Sequence, residues 1–230
     1  MQSIKKGFVY SSKDATAASK IRSVNPAWYY NWGMNPISGL DNIPFVDMAW
    51  SGKANLSSIS EGCDLLCLNE PDRTDQANMS VDDAVKLWPQ IVATNCRIGS
   101  PATASNALKA GGWFEQFMQQ SPKVDFIAIH WYAAPKPSSL LSLIDGLYEK
   151  YQLPIWITEF AVADWTTANK YTPEQVVTFM KTIIPELERR SYVERYSWKT
   201  RSLDDPNMGS SSLFDASGNL TPLGEIYKSF

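Results

Sequence analysis

Two glutamates stand directly behind apolar runs. Glu70 follows Leu65-Leu66-Cys67-Leu68-Asn69, and Glu159 follows Pro154-Ile155-Trp156-Ile157-Thr158. A glutamate that serves only to solvate the surface sits more often on an exposed helix face, so each is a candidate for chemistry. Such a pair suits cleavage of an acetal: one carboxyl group protonates the leaving oxygen and another attacks the anomeric carbon, at a separation of roughly 5–5.5 Å. The surroundings must hold one group protonated and the other ionised. The plainer reading of either residue is a structural partner for an arginine.

Other residues at strand ends could serve the same site. Asn69 adjoins Glu70, and His130 lies in Ile129-His130-Trp131-Tyr132. A lone histidine on an apolar strand is as often a satisfied core residue as a hydrogen-bonding group at a site, and it has no co-ligands for a metal. Tyr132 needs a partner for its hydroxyl if it is buried. Trp198 closes a further apolar run and is expected to floor a subsite. Tyr29, Tyr30, Asn31, Trp32, Trp50 and Trp131 fall where a cleft should run, although strand side chains alternate in direction and some of these must enter the core. No metal and no organic cofactor is expected. Asp47, within a hydrophobic run, would be costly to bury unless paired.

Eight short apolar or β-branched runs position these residues, beginning at Lys6, Trp28, Pro44, Leu65, Arg97, Asp125, Pro154 and Arg195. Helical patterns with start signals lie between them: Ser80 with Asp83, Thr172 with Pro173, and Thr221 with Pro222. Strands flanked by capped helices imply a parallel sheet buried on both faces, and eight such units close into a compact (β/α)8 barrel. The connections after the second and third strands are too short for full helices, so shortened helices are expected there. In such a barrel the C-terminal ends of the strands carry the active site.

Composition narrows the partners. The 230 residues suit one catalytic domain spanning 1–230. A net charge of −3, with no Lys/Arg cluster, removes the footprint that nucleic acid or an anionic membrane would require. Nine tryptophans suit stacking on sugar rings as well as core packing. There is no apolar run long enough to span a membrane and no leader at Met1; the expectation is a monomer, secreted or cell-wall associated, whose signal peptide has been removed. Of the three cysteines, Cys63 and Cys96 precede adjacent strands, within reach of a disulfide or as two reduced thiols, and Cys67 is expected to be a buried free thiol.

The segments Leu68-Asn69-Glu70-Pro71-Asp72, Arg97-Ile98-Gly99-Ser100-Pro101-Ala102, Ile129-His130-Trp131-Tyr132 and Trp156-Ile157-Thr158-Glu159-Phe160-Ala161 together resemble glycoside hydrolase family 128, from about Gly7 to the C-terminus. The resemblance implies a retaining endo-β-1,3-glucanase with Glu70 as acid/base after strand four and Glu159 as nucleophile after strand seven. It also implies that Asn69 bonds the sugar 2-hydroxyl and that Tyr132 holds the nucleophile ionised. The partner would be a β-glucan polysaccharide or oligosaccharide. Asp47 departs from the family pattern, which weakens the inference on substrate more than that on mechanism. The rivals are a β-glucanase of other linkage and a glucan-binding protein without turnover.

Overall fold

The computed structural model describes residues 3–59 and 62–230. Eight strands form where the apolar runs predict them: β1 (Lys6–Val9), β2 (Trp28–Tyr30), β3 (Asp47–Ala49), β4 (Asp64–Asn69), β5 (Arg97–Ala102), β6 (Ile127–Ala133), β7 (Ile155–Val162) and β8 (Val193–Trp198). Six helices accompany them: α1 (Ala17–Ser23), α2 (Val81–Val92), α3 (Trp113–Gln119), α4 (Pro137–Tyr151), α5 (Pro173–Arg189) and α6 (Pro222–Ser229). No helix separates β2 from β3, and a single 3-10 turn at Leu56–Ser58 separates β3 from β4. No described helix is long and apolar enough to cross a membrane.

The helix starts follow their side-chain signals. Ser80 Oγ accepts the Asp83 amide ahead of α2. Thr172 and Gln175 form a reciprocal capping box at α5, with Pro173 in the first turn, where its missing N–H costs nothing. Thr221 accepts from the Gly224 amide at α6.

All strand pairings are parallel, within a sheet ordered β2-β1-β8-β7-β6 and a second ordered β3-β4-β5. The ladder therefore runs through two sheets rather than one uninterrupted ring. Single parallel bridges, Tyr29 to Phe45 and Gly99 to Phe126, join their edges. At the β5–β6 seam the Ser100 amide donates to the Phe126 carbonyl at 2.9 Å. There the Ser100 hydroxyl accepts the Ala128 amide at 3.0 Å in place of a backbone carbonyl.

Strand alternation divides the side chains into two layers. Val9, Trp28, Tyr30, Met48, Leu66, Ala102, Ala128 and Trp156, from β1 to β7, share an inner cluster, and Arg195 of β8 lays its guanidinium 4.1 Å from the Trp156 ring centroid. Gly7 makes room for Trp28, since a Cβ there would lie 2.1 Å from the indole. The opposite faces of β1, β2 and β6–β8 pack Phe8, Tyr29, Ile129, Ile157 and Tyr196 against the helices. Asp47 starts β3 instead of lying mid-strand; it is half-buried, its pKa is raised by that burial, and it is absent from the cleft lining.

Candidate active site

Regular alternation would send Glu159, in step with Ile157, towards the helices, and would bring in Glu70 but not Asn69 beside it; local irregularity changes both outcomes. On β4, Leu66 points inward and both Cys67 and Leu68 outward. The parity breaks at Leu68, whose φ is 49°, and Glu70 itself has φ 42°. Left-handed backbone at non-glycine residues is uncommon and costs energy that the surrounding structure must supply. Here it turns Asn69 and Glu70 together into the cleft. On β7 the register shifts against both β6 and β8 near Glu159, so Glu159 faces inward although Ile157 and Phe160 both face the helices.

The two carboxylates share a cleft of about 560 Å³, lined also by Trp32, Trp50, Asn69, Arg73, Gln76, Tyr132, Trp165 and Lys199. The His130 imidazole lies between them, with Nδ1 2.9 Å from Glu70 Oε1 and Nε2 3.5 Å from Glu159 Oε1. Three donors hold Glu159: Trp32 Nε1–H at 2.7 Å and the Tyr30 hydroxyl at 3.2 Å on Oε1, and the Tyr132 hydroxyl on Oε2. Burial alone would raise the Glu159 pKa, but the positive charges of His130 and Lys199, with the donated bonds of Tyr132 and Trp32, bring it below the ordinary carboxylate value. For His130, burial disfavours the cation, yet Glu159 and the bond to Glu70 outweigh it and raise the pKa. Burial and the neighbouring Glu159 charge keep Tyr132 and Tyr30 protonated as donors.

Most candidate residues meet here, at different depths. Trp32, Trp50, Asn69 and Tyr132 line the cleft. Tyr30 and His130 lie beneath it, in contact with the carboxylates. Asn69 donates to Gln76 Oε1 at 3.0 Å, and its buried Oδ1 has no partner among the described residues. Four expectations need correction. Asn31 is spent on its own turn, donating to the Asn35 carbonyl and accepting from the Gly33 amide. Trp131 stacks on Phe179 of α5, with centroids 5.3 Å apart. Trp198 is 0% exposed, donates to the Ser211 carbonyl at 2.9 Å and packs on Phe160. Both tryptophans occupy strand positions whose side chains face the helices, as does Tyr29, which sits in the same layer.

Composition and motif reading passed over Lys199, Arg73, Gln76 and Trp165. Lys199 had a signal: if Trp198 points outward, the next residue points inward. Arg73 also had one, three residues after Glu70, and its Nε comes 3.8 Å from Glu70 Oε2. Gln76 and Trp165 belong to loops, where no periodicity applies.

A parallel α/β fold that delivers two carboxylates from strand ends into an aromatic-walled cleft has the layout of a carboxylate-pair glycoside hydrolase. The model of the glycosyl hydrolase catalytic core matches residues 7–227. A solved family 128 (subgroup I) endo-β-1,3-glucanase from Amycolatopsis mediterranei, a glutamate-to-glutamine variant in complex with laminarihexaose, is 30% identical with a TM-score of 0.85 over 99% of each chain. A subgroup II endo-β-1,3-glucanase from Pseudomonas viridiflava is 31% identical, with a TM-score of 0.78 over 100% of this chain and 99% of that one. Alkali-sensitive linkage protein 1 of Schizosaccharomyces pombe is 34% identical over an alignment of 216 positions that covers 87% of this chain and 39% of that protein. The chain thus spans well under half the length of this curated relative. The chain belongs to the glycosyl hydrolase catalytic core family, within glycoside hydrolase family 128.

Proposed function

We propose that the chain hydrolyses β-1,3-glucan internally and with retention of configuration, Glu159 acting as nucleophile and Glu70 as acid/base. The observation that carries this reading is the environment of Glu159, a carboxylate with three donors and a depressed pKa. A group held ionised and oriented is what nucleophilic attack requires. In the first step a Glu159 oxygen bonds to the anomeric carbon while the C–O bond to the leaving sugar breaks, and Glu70 gives its proton to that oxygen. In the second, Glu70 takes a proton from water as the water oxygen displaces Glu159, restoring both groups. The β-1,3 linkage and the endo mode are carried over from the family 128 endo-β-1,3-glucanases.

The same reading treats the eight strands as one closed barrel. In its support, the two sheets meet at single bridges on both edges, and strands β1–β7 contribute to one inner cluster. It treats the chain as one catalytic unit, active as a monomer without metal, and places it outside the cell or at a cell wall, where polymeric glucan is found.

The test is the configuration of the first-formed product on laminarin, read by NMR before mutarotation. The β-anomer is expected, and initial α-anomer would refute Glu159 as nucleophile. Product profiles on laminarin against cello-oligosaccharides test the linkage. In Glu159→Gln, hydrolysis should fall by several orders of magnitude. In Glu70→Gln, a substrate with a very good leaving group should still glycosylate the enzyme, and azide should speed release of a product with retained configuration.

A further inference from the structure

We propose that Lys199 is a positioning residue for Glu159: its ammonium clamps the face of Trp32 and so fixes the indole N–H that aims the carboxylate at the bound sugar. The inference rests on Glu159 being the nucleophile. Lys199 follows β8, and its amide still donates to the Phe160 carbonyl of β7 at 2.9 Å, so it continues the strand alternation one step past Trp198 and points inward. Its Nζ lies 3.9 Å from the centroid of the Trp32 ring. Among the described residues, no side chain or carbonyl accepts a hydrogen bond from that ammonium and no carboxylate pairs with it within ion-pair range. A half-buried cation without an acceptor is held there at a cost, and the indole face is the protein group that compensates it.

Trp32 needs such a clamp. Its backbone has φ 60°, a conformation a bulky residue does not choose by itself, and it lies within the turn that the Asn31 side chain closes. One face of the ring meets the lysine, the ring edge meets Tyr30 with centroids 5.8 Å apart, and Nε1–H reaches Glu159. Removing the cation frees the indole to tilt, and Glu159 Oε1 loses the shortest of its two donated bonds. A small misplacement of an attacking atom is expensive in rate.

Charge acts in the same direction. Lys199 is one of several groups that face Glu159: Tyr30 and Trp32 from β2 and its turn, Tyr132 and His130 from β6, Glu70 from β4, and Lys199 with Arg201 behind it. Burial lowers the Lys199 pKa, and Glu159 and Glu70 oppose that lowering. Loss of the cation therefore moves the Glu159 pKa upward, and with it the acid limb of kcat/KM.

The experiment compares Lys199→Met and Lys199→Arg with the wild type, using laminarin hydrolysis and a 13C-carboxyl NMR titration of Glu159 assigned with Glu159→Gln. Lys199→Met is expected to lose about tenfold or more in kcat with a smaller change in KM and to titrate at higher pH. Lys199→Arg, still cationic and able to stack, should recover both. A fold-preserving role alone would lower activity without moving the titration. A Glu159 titration and kcat unchanged in Lys199→Met would overturn the proposal, as would an arginine variant as impaired as the methionine one. If Lys199→Met fails to fold, Lys199→Gln serves under the same criteria. The titration needs no turnover, so a wild type without laminarin hydrolysis would count against the proposed function, while an unmoved Glu159 titration in Lys199→Met would still overturn the role of Lys199 at Glu159.

Discussion

Replacing Trp198 with alanine should cost stability far more than catalysis. The indole is 0% exposed and packs between Phe160, Phe179 and Tyr227, with centroids 4.9, 6.4 and 6.5 Å away. Truncating a buried tryptophan costs about 3–5 kcal/mol through lost transfer energy and the residual cavity. The Ser211 carbonyl, which accepts from Nε1 at 2.9 Å, is also left unpaired in the interior, adding about 1 kcal/mol. In a domain of this size each kcal/mol lowers Tm by roughly 2–4 °C, so the total of about 4–6 kcal/mol corresponds to a fall of roughly 8–24 °C. Near-UV circular dichroism on heating reads the Tm, and laminarin hydrolysis far below it reads kcat/KM. Activity in the cold should stay within a few-fold of wild type, since the ring does not line the cleft. A variant with nearly unchanged Tm but a large loss in kcat/KM would refute the placement and return Trp198 to the floor of a subsite.

Tyr132→Phe removes the donor on Glu159 Oε2. Hydrogen bonds to charged groups are worth about 1.5–3 kcal/mol, so kcat/KM should fall about ten- to hundredfold. Because the depressed Glu159 pKa rises when a donor is lost, the acid limb of the pH profile should move to higher pH; an unshifted limb would separate Tyr132 from the nucleophile. Trp165→Ala removes a ring that is 56% exposed at the cleft and meets Tyr132 edge-on. It should raise KM for long oligosaccharides with little change in Tm, and equal kinetics on long chains would place no sugar on that ring. Cys63 and Cys96 hold their sulfurs 2.7 Å apart at the base of β4 and β5. Under an oxidant such as glutathione disulfide they should close to a disulfide worth about 3–4 kcal/mol for a loop of this length. Thiol counting in denaturant should then give one free thiol, Cys67, and a count of three would exclude the bond.

Most strands were legible because they are apolar runs buried on both faces; β8 is less so, since Glu194 and Arg195 interrupt it and its start at Val193 lies before the run that begins at Arg195. The helix starts were legible because Ser80, Thr172 and Thr221 carry their caps in their side chains. Directions within a strand were legible in principle from alternation. Applied to β6, alternation places His130 and Tyr132 inward together and Trp131 outward, and on β8 it places Trp198 outward and Lys199 inward. The affinity of tryptophan for sugar rings pointed to the opposite conclusion for Trp131 and Trp198. Their surroundings decide the matter, because a large apolar ring beside α5 is worth more in the core than at a wet rim.

For Glu159, alternation is misleading, because it shares parity with Ile157, which faces the helices. Glu70 shares parity with inward Leu66, but Leu68 between them faces outward, and the left-handed backbone of Leu68 and Glu70 restores the inward direction. Their place directly after apolar runs singled out both glutamates and the family resemblance assigned their roles; their orientation came from register shifts that no residue pattern announces. Trp32 joins Leu68 and Glu70 among the left-handed non-glycine residues, and all three adjoin the cleft or the strand end that feeds it. A regular strand delivers every second side chain to one face, which is too coarse to bring Asn69 and Glu70 in together from β4 and Glu159 in from β7 beside Tyr132 of β6. The unfavourable backbone at these positions is what lets adjacent residues point the same way, and the packed inner cluster beneath them supplies the stability that holds it.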